Sequence, residues 1–424
     1  MTLNPVFRFR YCERMVWKLS SLFSGEIRQS GSSLIDAFSV PAAASSLSSS
    51  IPLLAVPALF LATLGGGVFG APLYEGWATS GSSIGNGSSN VAETFPEPDA
   101  KPATLKSVTH IENDVYEVVV YSPSMDREVK NEVILPGGPE NDTPRPTFYL
   151  LMGADGAANG WSWRNSSDYQ GFFQDKLVNV VTPIGSVSSM QADWYSEDDA
   201  TGRNKWLTYF TKELPPLMDE QFHGTGTDAI AGISMSGGPA LNIAALEPER
   251  FAAAASYSGC PATSGVLGDT YVRQALKLNG ADPHKMWGMS SNPAWMAHSP
   301  VLHLDALENT KVFISAAQGV PGAIDDTNTS SERVGPPVAI EAASYACSEY
   351  FVDRAQRAGL DVQWYPQVEG THSWGLFEKS MRKSWSVIGP ALDVQPFERE
   401  SPVTKAPVPE ETPQPVGGSA GSSG

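Results

Sequence analysis

Short apolar runs alternate with helical patterns along most of this chain, and this alternation strongly limits the folds it can adopt. Seven runs have the length and the β-branched or aromatic content that are typical of strands. They are VYEVVVYS (115–122), TFYLLMG (147–153), VNVVTPIG (178–185), TDAIAGI (227–233), FAAAASYSG (251–259), KVFISAAQG (311–319) and DVQWYPQV (361–368). The clearest helical patterns are KWLTYFTKELPPLMDEQF (205–222) and PPVAIEAASYACSEYFVDRAQRAG (336–359). The alternation predicts an α/β fold with a mostly parallel central sheet and helices on both faces.

The composition excludes several classes of function. The chain has 424 residues, of which 41% are hydrophobic, so it can bury a large core. Its formal net charge is -18, and a phosphate backbone would repel such a protein, so we expect no nucleic-acid partner. The sequence contains no CxxC pair, no HExxH motif and no phosphate-cradling glycine loop. It therefore predicts neither a metal site nor a cofactor.

An uncharged and strongly apolar segment, IPLLAVPALFLATLGGGVFG (51–70), follows a stretch that contains several Arg and Lys residues. A basic stretch, an apolar stretch and small residues near Gly70 are the parts of an export signal, so residues 1–72 are interpreted as an N-terminal region with a signal peptide. An uncleaved membrane anchor is the alternative, because about 20 apolar residues can span a bilayer. Both interpretations predict a protein that is secreted or associated with the cell envelope.

Composition also divides the rest of the chain. Residues 73–105 are rich in Ser, Gly and Pro, which predicts a linker. Residues 391–424 have low complexity, which predicts a disordered tail. The sequence therefore places one catalytic domain at residues 106–390.

The three cysteines fall on both sides of the apolar segment. Cys12 precedes it, which leaves Cys260 and Cys347 in the exported part of the chain. Two cysteines in an oxidising compartment are readily bridged, so we expect a disulfide. Two buried free thiols are the alternative.

The segment AGISMSGGPALNIAALEPERF (231–251) contains two serines at the junction between a predicted strand and a predicted helix. In α/β-hydrolases the nucleophile occupies such a turn, where small residues two positions before and after it let the backbone bend sharply. Ser234 has Gly232 before it and the small Ser236 after it. For Ser236 to be the nucleophile, the strand would have to continue for two more residues. The sequence therefore predicts Ser234 as the nucleophile.

A serine hydroxyl needs a base, and in this fold the acid and then the histidine follow the serine along the chain. His372 lies shortly after the last predicted strand, which makes it the predicted base. His298 and His303 precede the run KVFISAAQG and are candidates for lining the cleft. The position along the chain does not decide which of six carboxylates is the acid. They are Asp325, Asp326, Glu332, Glu341, Glu349 and Asp353.

An oxyanion hole needs two backbone N–H groups. The first is expected from Met235, which directly follows the predicted nucleophile. The second is expected from Ala154, in the glycine-rich loop after the run TFYLLMG. A simple turn without a catalytic role is the alternative for this loop.

These residues resemble the secreted mycolyltransferases of bacteria with mycolic-acid envelopes, and the corynomycolyltransferases in particular. The similar stretches occur in the same order in both. They are YLLMGADGAANGW, VNVVTPIGSVSSMQADWYSEDD, KWLTYFTKELPPLMD, AIAGISMSG, ASYSGC, GADPHKMWGMSSNPAWMAHSP, VFISAAQGVPG and GTHSWG. The resemblance implies an α/β-hydrolase fold.

The resemblance also assigns roles to individual residues. The family's serine falls on Ser234 and its histidine on His372. Its acid in the corynebacterial type is a glutamate six residues before a cysteine, which falls on Glu341 before Cys347. The likeness further implies that Cys347 pairs with Cys260, and that the oxyanion donors are the amides of Ala154 and Met235.

The activity that the resemblance implies is transfer of a mycoloyl (corynomycoloyl) group from a trehalose ester to trehalose monomycolate or cell-wall arabinan, through an acyl-enzyme on Ser234. The partners would be a mycoloyl glycolipid donor and a sugar acceptor at the cell envelope, and we expect a monomer. Asp155, Trp161 and Trp374 are the expected substrate contacts. An apolar acyl groove is also expected. Its candidate tryptophans are Trp161, Trp163, Trp194, Trp287, Trp295 and Trp374.

Two departures from the family concern the sugar. Met152 stands where the family usually has the aspartate of LLDG, and Leu207 stands where it has the glutamate of KWE. Both weaken the expectation of trehalose and leave the three catalytic residues untouched. A secreted carboxylesterase that uses the same triad with water, and a non-catalytic envelope protein on the same scaffold, are the alternatives.

Overall fold

The computed structural model describes residues 89–325 and 336–397. The apolar segment 51–70, Cys12 and most of the predicted tail lie outside the described residues. Two of the candidate acids, Asp326 and Glu332, also lie outside them.

One mixed sheet forms the centre of the described part of the chain. Its nine strands lie in the order β1-β2-β3-β5-β4-β6-β7-β8-β9. The strands are β1 (Thr104–Glu112), β2 (Val115–Ser122), β3 (Arg127–Ile134), β4 (Arg145–Leu151), β5 (Asn179–Pro183), β6 (Gly224–Ile233), β7 (Phe251–Tyr257), β8 (Lys311–Val320) and β9 (Val362–Glu369). Neighbouring strands from β5 to β9 in this order are parallel, whereas β1, β2 and β3 are added antiparallel at one edge. The mostly parallel sheet predicted from the sequence is confirmed.

Helices cover both faces of the sheet. They are α1 (Ser89–Ala92), α2 (Trp163–Ser166), α3 (Tyr169–Phe173), α4 (Trp206–Thr208), α5 (Leu214–Phe222), α6 (Gly237–Leu246), α7 (Gly265–Lys277), α8 (Pro283–Trp287), α9 (Ala294–Ala297), α10 (Pro336–Arg357) and α11 (Trp374–Ala391). In the described ranges, none of the helices is both long enough and apolar enough to cross a membrane.

Strand β4 shows how the sheet is buried on both faces. Successive side chains of a strand point to opposite faces. Phe148 and Leu150 therefore pack in the apolar cluster that includes side chains of α3 and α11. Tyr149 and Leu151 pack in a second cluster with side chains of α5 and α6. Because both faces are covered, the strand is a continuous apolar run in the sequence rather than an alternating one.

Strands β1 and β3 have no counterpart in the sequence prediction. Strand β1 is an edge strand whose side chains are mostly exposed, so it contains no apolar run. Strand β3 alternates charged residues with the buried Val129 and Val133, and its sequence REVKNEVI is too polar to be singled out by apolar runs.

The helix predicted over residues 205–222 is interrupted. Helix α4 is followed by a π-helical turn, Tyr209–Glu213, before α5 begins. Pro215 and Pro216 lie at the start of α5 and lack the N–H that a continuous helix would need. The two prolines therefore account for the interruption.

Part of the segment assigned to the linker packs against the domain. Residues 89–103 belong to the predicted linker, yet they include α1 and the fully buried Thr94. The Thr94 Oγ1 atom is 2.9 Å from Nε2 of His298, and the ring centroid of Phe95 is 4.9 Å from that of the histidine. The linker prediction is corrected here, because composition cannot reveal these individual tertiary contacts.

The chain between β7 and β8, residues 258–310, contains α7, α8 and α9, and we call it the cap. Val272 and Leu276 of α7 and Trp295 of α9 form one buried apolar cluster with Met235, which follows the carboxyl end of β6. The cap therefore packs against the end of the sheet where β6 turns into α6.

A disulfide joins Cys260 in the cap to Cys347 in α10. The two cysteines are 87 positions apart in the sequence, and both are buried. A cross-link that closes such a long loop removes conformational freedom from the unfolded chain. We expect it to hold the cap to the helix that carries Glu341.

Removing this disulfide should lower the free energy of unfolding by about 2–4 kcal/mol. The measurement is urea denaturation of the wild-type protein and of the double variant Cys260→Ala/Cys347→Ala, each with and without reductant. The double variant is the control, since reductant should leave its midpoint unchanged while it lowers that of the wild type. Equal midpoints for the oxidised wild type and the variant would show that the bond is not stabilising.

Candidate active site

Ser234 lies at the sharp bend between β6 and α6. Strand β6 ends at Ile233, and a single 3-10 turn, Ser234–Ser236, leads into the helix. The φ angle of Ser234 is 53°, in the left-handed region that non-glycine residues rarely adopt. At this bend a Cβ on Gly232 would lie 2.2 Å from the carbonyl oxygen of Ser236. Space therefore requires glycine at position 232, and the bend is of the kind that presents a serine above the sheet.

Ser236 is buried and has hydrogen bonds of its own. Its hydroxyl donates to the carbonyl oxygen of Met152 at 2.5 Å and accepts from Nε2 of Gln191 at 2.8 Å. Met152 directly follows β4, at the start of the loop that carries Ala154. The second serine of the SMS sequence thus ties this loop to the bend at Ser234.

Ser234, His372 and Glu341 form a continuous chain of hydrogen bonds. Ser234 Oγ is 2.7 Å from His372 Nε2, and His372 Nδ1 is 2.8 Å from Glu341 Oε2. Because an ionised carboxylate can only accept, His372 donates its Nδ1–H to Glu341, and its Nε2 then accepts from the Ser234 hydroxyl. Such a chain can remove the serine proton while the serine oxygen attacks an electrophile. The structure brings together the three residues that the sequence and the resemblance singled out.

Glu341 is fully buried in α10 and makes further hydrogen bonds. Its Oε1 atom accepts from the Ser258 hydroxyl at 2.8 Å and from the backbone N–H of Ala317 at 2.7 Å. Burying a carboxylate is costly unless hydrogen bonds replace its hydration. The scaffold therefore fixes one carboxylate oxygen, and the other oxygen bonds the histidine.

Asp325, another of the candidate acids, holds the loop that carries His372. Its carboxylate accepts from the backbone N–H of Thr371 at 2.7 Å, from the Thr371 hydroxyl at 2.8 Å and from the Ser373 hydroxyl at 2.9 Å. Burial alone would raise the pKa of Asp325, but these bonds and one from the backbone of Gly322 lower it below its usual value. Asp325 therefore fixes the residues on both sides of the histidine.

The remaining candidate acids on α10 face elsewhere. Glu349 is exposed, and Asp353 forms an ion pair with Arg357 at 2.8 Å. Neither is hydrogen-bonded to His372, whose Nδ1 bonds Glu341.

The two cap histidines are part of its buried packing. His298 stacks on Trp287 with ring centroids 4.7 Å apart. Burial, with a smaller contribution from His303, lowers the pKa of His298 to about 3, so the ring is neutral. His303 Nε2 is 3.1 Å from the carbonyl oxygen of Met296. The prediction that either histidine lines the cleft has no support from these contacts.

The candidate tryptophans divide by burial. Four of them are at most 2% exposed and belong to the core: Trp163, Trp194, Trp287 and Trp295. Trp161 is 50% exposed. Trp374 is half-buried two residues after His372, and its ring meets that of Trp163 edge-on at 5.4 Å. Only Trp161 and Trp374 therefore retain surface for a substrate.

Asp155 is exposed in the loop after β4. Its carboxylate accepts from Asn159 Nδ2 at 2.7 Å, and Asn279 Nδ2 lies 3.4 Å away. Asn279 also donates to the carbonyl oxygen of Ala154 at 3.1 Å. The carboxylate and the two amides form a polar cluster at the surface of this loop.

Sequence reasoning missed the residues that support the three at the centre. Ser258 lies in the stretch SYSGC, of which the sequence analysis used only the cysteine. The φ angle of Ser258 is 52°, and a backbone angle cannot be read from the sequence. Gln191 and the loop-holding role of Asp325 were missed because they depend on hydrogen bonds to distant residues, which the sequence does not display. In the described ranges, no group of three or more His, Cys, Asp or Glu side chains is arranged to hold a metal ion.

Comparisons with known proteins indicate the family of the chain. Residues 122–385 match a family model described as putative esterase. The diacylglycerol acyltransferase/mycolyltransferase Ag85C of Mycobacterium avium is 31% identical over 314 residues, which cover 71% of this chain and 81% of that protein. The diacylglycerol acyltransferase/mycolyltransferase Ag85A of Mycobacterium leprae (strain TN) is 32% identical over 269 residues, 60% of this chain and 76% of that protein.

A solved structure supports the fold. The crystal structure of MPT51 (FbpC1) from Mycobacterium tuberculosis matches with a TM-score of 0.57 at 23% identity, over 66% of this chain and 100% of that one. With its mostly parallel sheet and its serine at a strand-to-helix bend, the chain has the α/β-hydrolase fold. The chain belongs to the putative esterase family and, within it, to the mycolyltransferases of the α/β-hydrolase type.

Proposed function

We propose that this protein is an acyltransferase that moves a mycoloyl (corynomycoloyl) group from a trehalose ester to trehalose monomycolate or cell-wall arabinan. Ser234 carries the acyl group between donor and acceptor. The observation that carries the proposal is the unbroken hydrogen-bond chain from Ser234 through His372 to Glu341. The relatives that are named acyltransferases and mycolyltransferases support the choice of reaction.

Acylation begins when Ser234 Oγ attacks the ester carbonyl of the donor. His372 Nε2 takes the serine proton, and Glu341 stabilises the imidazolium that forms. Negative charge develops on the former carbonyl oxygen, which the N–H groups of Ala154 and Met235 stabilise. His372 then gives its proton to the departing sugar oxygen, the C–O bond to the sugar breaks, and the acyl group remains as an ester on Ser234.

The position of the two amides supports this role. Met235 directly follows Ser234, and a Cβ on Gly153 would lie 3.4 Å from Ser234 Cβ, so the loop of Ala154 lies beside the nucleophile. The carbonyl oxygen of Ala154 is held by Ser188 N at 2.8 Å and by Asn279 Nδ2. The loop is therefore fixed beside the bend before a substrate arrives, which is what electrostatic stabilisation of an oxyanion requires.

In the second half of the reaction, His372 removes a proton from an acceptor hydroxyl. The acceptor oxygen attacks the acyl carbon, and the ester bond to Ser234 breaks as His372 returns the proton. A transferase differs from a hydrolase only in which hydroxyl performs this step. Transfer requires that a bound sugar reach the acyl carbon faster than water does.

Asp155, Trp161 and Trp374 are the proposed sugar contacts. Met152 and Leu207, which replace two acidic residues of the family, are both buried and contribute no carboxylate. Asp155 is exposed in the same loop as Met152, so it offers a carboxylate close to the position that has lost one. The exposed ring of Trp161 can cover the apolar face of a sugar.

We place the protein outside the cytoplasm, secreted or at the cell envelope, and acting as a monomer. The disulfide between Cys260 and Cys347 supports an oxidising compartment. The basic and apolar N-terminal region supports export. A single chain supplies all three residues of the hydrogen-bond chain.

A secreted carboxylesterase is the second candidate. The observation in its favour is Met152, a buried apolar residue where the family has an acidic one. In an esterase the same residues would form the acyl-enzyme, and water would resolve it.

Intact-mass spectrometry of the purified protein with a mycoloyl-trehalose donor tests the transferase. We expect an adduct of mycoloyl mass that is discharged at least about ten-fold faster by added sugar acceptor than by water alone, a ratio equivalent to about 1.4 kcal/mol. Ser234→Ala is the control and should form no adduct, whereas Ser236→Ala should still form one. Discharge by water at the same rate with and without sugar would establish the esterase instead.

The substitution Glu341→Gln tests the role of the acid. It should lower the acylation rate by about 10²–10⁴-fold, because an amide cannot stabilise the imidazolium that forms at His372. The measurement is pre-steady-state hydrolysis of a p-nitrophenyl ester. Glu349→Gln is the matched control, because Glu349 is an exposed glutamate on the same helix. Equal losses in the two variants would refute the assignment of Glu341.

A further inference from the structure

The side chain of Asn279 joins the cap to the loop after β4. Asn279 lies two residues after the end of α7 and is partly buried. Its Nδ2 atom is 3.1 Å from the carbonyl oxygen of Ala154 and 3.0 Å from Oγ of Ser188, whereas Oδ1 of Asp155 is more distant at 3.4 Å. A carbonyl oxygen can only accept, so the amide nitrogen of Asn279 faces it. The two N–H groups of the amide suffice for Ala154 and Ser188.

Ser188 completes the connection between the cap and this loop. Its backbone N–H donates to the carbonyl oxygen of Ala154 at 2.8 Å. Its hydroxyl donates to the carbonyl oxygen of Ala275 in α7 at 3.0 Å and accepts from Asn279. Ser188 is fully buried and its φ is 40°, a left-handed conformation that persists only where surrounding contacts enforce it. The Ala154 carbonyl therefore has two donors, and both are tied to α7 or to the residues that directly follow it.

The end of α7 does not need the Asn279 side chain. The backbone N–H of Gly280 donates to the carbonyl oxygen of Lys277 at 3.1 Å. That of Ala281 donates to the carbonyl oxygen of Leu276, also at 3.1 Å. With the φ of 77° at Gly280, these two bonds form the Schellman motif that ends many helices. Because neither bond uses a side chain, a role in ending the helix does not explain the Asn279 amide.

The N–H of Ala154, the proposed oxyanion donor, belongs to the peptide unit that joins Ala154 to Gly153. This N–H has no hydrogen-bond partner among the residues that the structure describes. The carbonyl oxygen of the same peptide unit accepts from the N–H of Gly156 at 3.1 Å. Since a peptide unit is planar, this bond fixes the unit on one side of the Ala154 Cα, and the bonds to the Ala154 carbonyl fix the unit on the other side. The direction of the N–H is therefore set before an ester binds.

We propose that Asn279 is a positioning residue of the oxyanion hole, which acts through the Ala154 carbonyl to hold the Ala154 N–H towards the negative charge that develops in acylation. The inference rests on the proposed function in taking Ser234 as the nucleophile and Ala154 as an oxyanion donor. Asn279 contacts no reacting atom and transfers no proton. Its hydrogen bonds make acylation depend on the cap, because an oxyanion donor is effective only where it is held in place in advance.

The test compares two substrates that differ in one atom, a p-nitrophenyl ester and the thionoester in which sulfur replaces the carbonyl oxygen. Sulfur accepts hydrogen bonds weakly, so an oxyanion hole favours attack on the oxygen ester. Pre-steady-state acylation rates of the wild-type protein and of its Asn279→Ala variant are measured with both substrates. We expect the variant to lose about ten-fold with the oxygen ester, less than the roughly 10²–10³-fold that removal of an oxyanion donor costs. Its rate with the thionoester should stay near that of the wild type, so the ratio of the two rates falls.

Asn292→Ala is the matched control. Asn292 is also a partly buried asparagine of the cap, and its Oδ1 atom accepts from the Tyr195 hydroxyl at 3.1 Å and from the backbone N–H of Ala294 at 2.9 Å. Neither bond involves the loop after β4. This variant should keep the wild-type ratio of the two rates, and thermal melting checks that each variant folds.

A merely structural role for Asn279 would not change the ratio of the two rates. A wild-type ratio in Asn279→Ala, whether both rates are unchanged or both fall together, overturns the inference and leaves the acyltransferase proposal intact. A wild-type protein that forms no acyl-enzyme with the oxygen ester overturns the proposed function itself.

Discussion

The left-handed backbone of Ser234 is the constraint on which the arrangement of the site depends. A non-glycine residue in this conformation costs on the order of 1–3 kcal/mol and persists only where its surroundings enforce it. Here the preceding strand β6 is buried in the middle of the sheet, and the following helix α6 is buried along nearly its whole length. The core holds the strand and the helix on either side of the bend, so the serine has little freedom to relax.

The groups that serve this serine come from distant parts of the chain and are each fixed by a separate set of contacts. Ser236 ties the loop after β4 to the bend through the carbonyl of Met152. Ser258 and the backbone of Ala317 fix Glu341, and Asp325 fixes the loop of His372. Each of these contacts uses a buried polar group. A buried polar group that lacks its hydrogen bond costs free energy, so these bonds are strongly favoured. The site is therefore built by the fold and not by the substrate.

The sequence predicted the fold and part of the site for physical reasons. Buried parallel strands such as β4 are continuous apolar runs, whereas β1 and β3 are polar and were missed. Ser234 and His372 could be placed because a bend needs Gly232 and because the chain order of such sites is constrained. Glu341 could not be selected by spacing among six carboxylates, and only the resemblance singled it out. Ser258 and Asp325 depend on contacts between residues far apart in sequence, which no local pattern encodes.

The neutral ring of His298 lowers the stability of the folded protein at acid pH. It is enclosed by Trp287, Phe95, Thr94 and Asn242, and its pKa in the folded protein is about 3, below the usual value of 6.5. The unfolded chain therefore binds a proton at this residue more readily than the folded chain, and stability declines as the pH falls from about 6.5 towards 3. Acidification therefore disfavours the folded state in which this imidazole contacts Thr94 and Phe95.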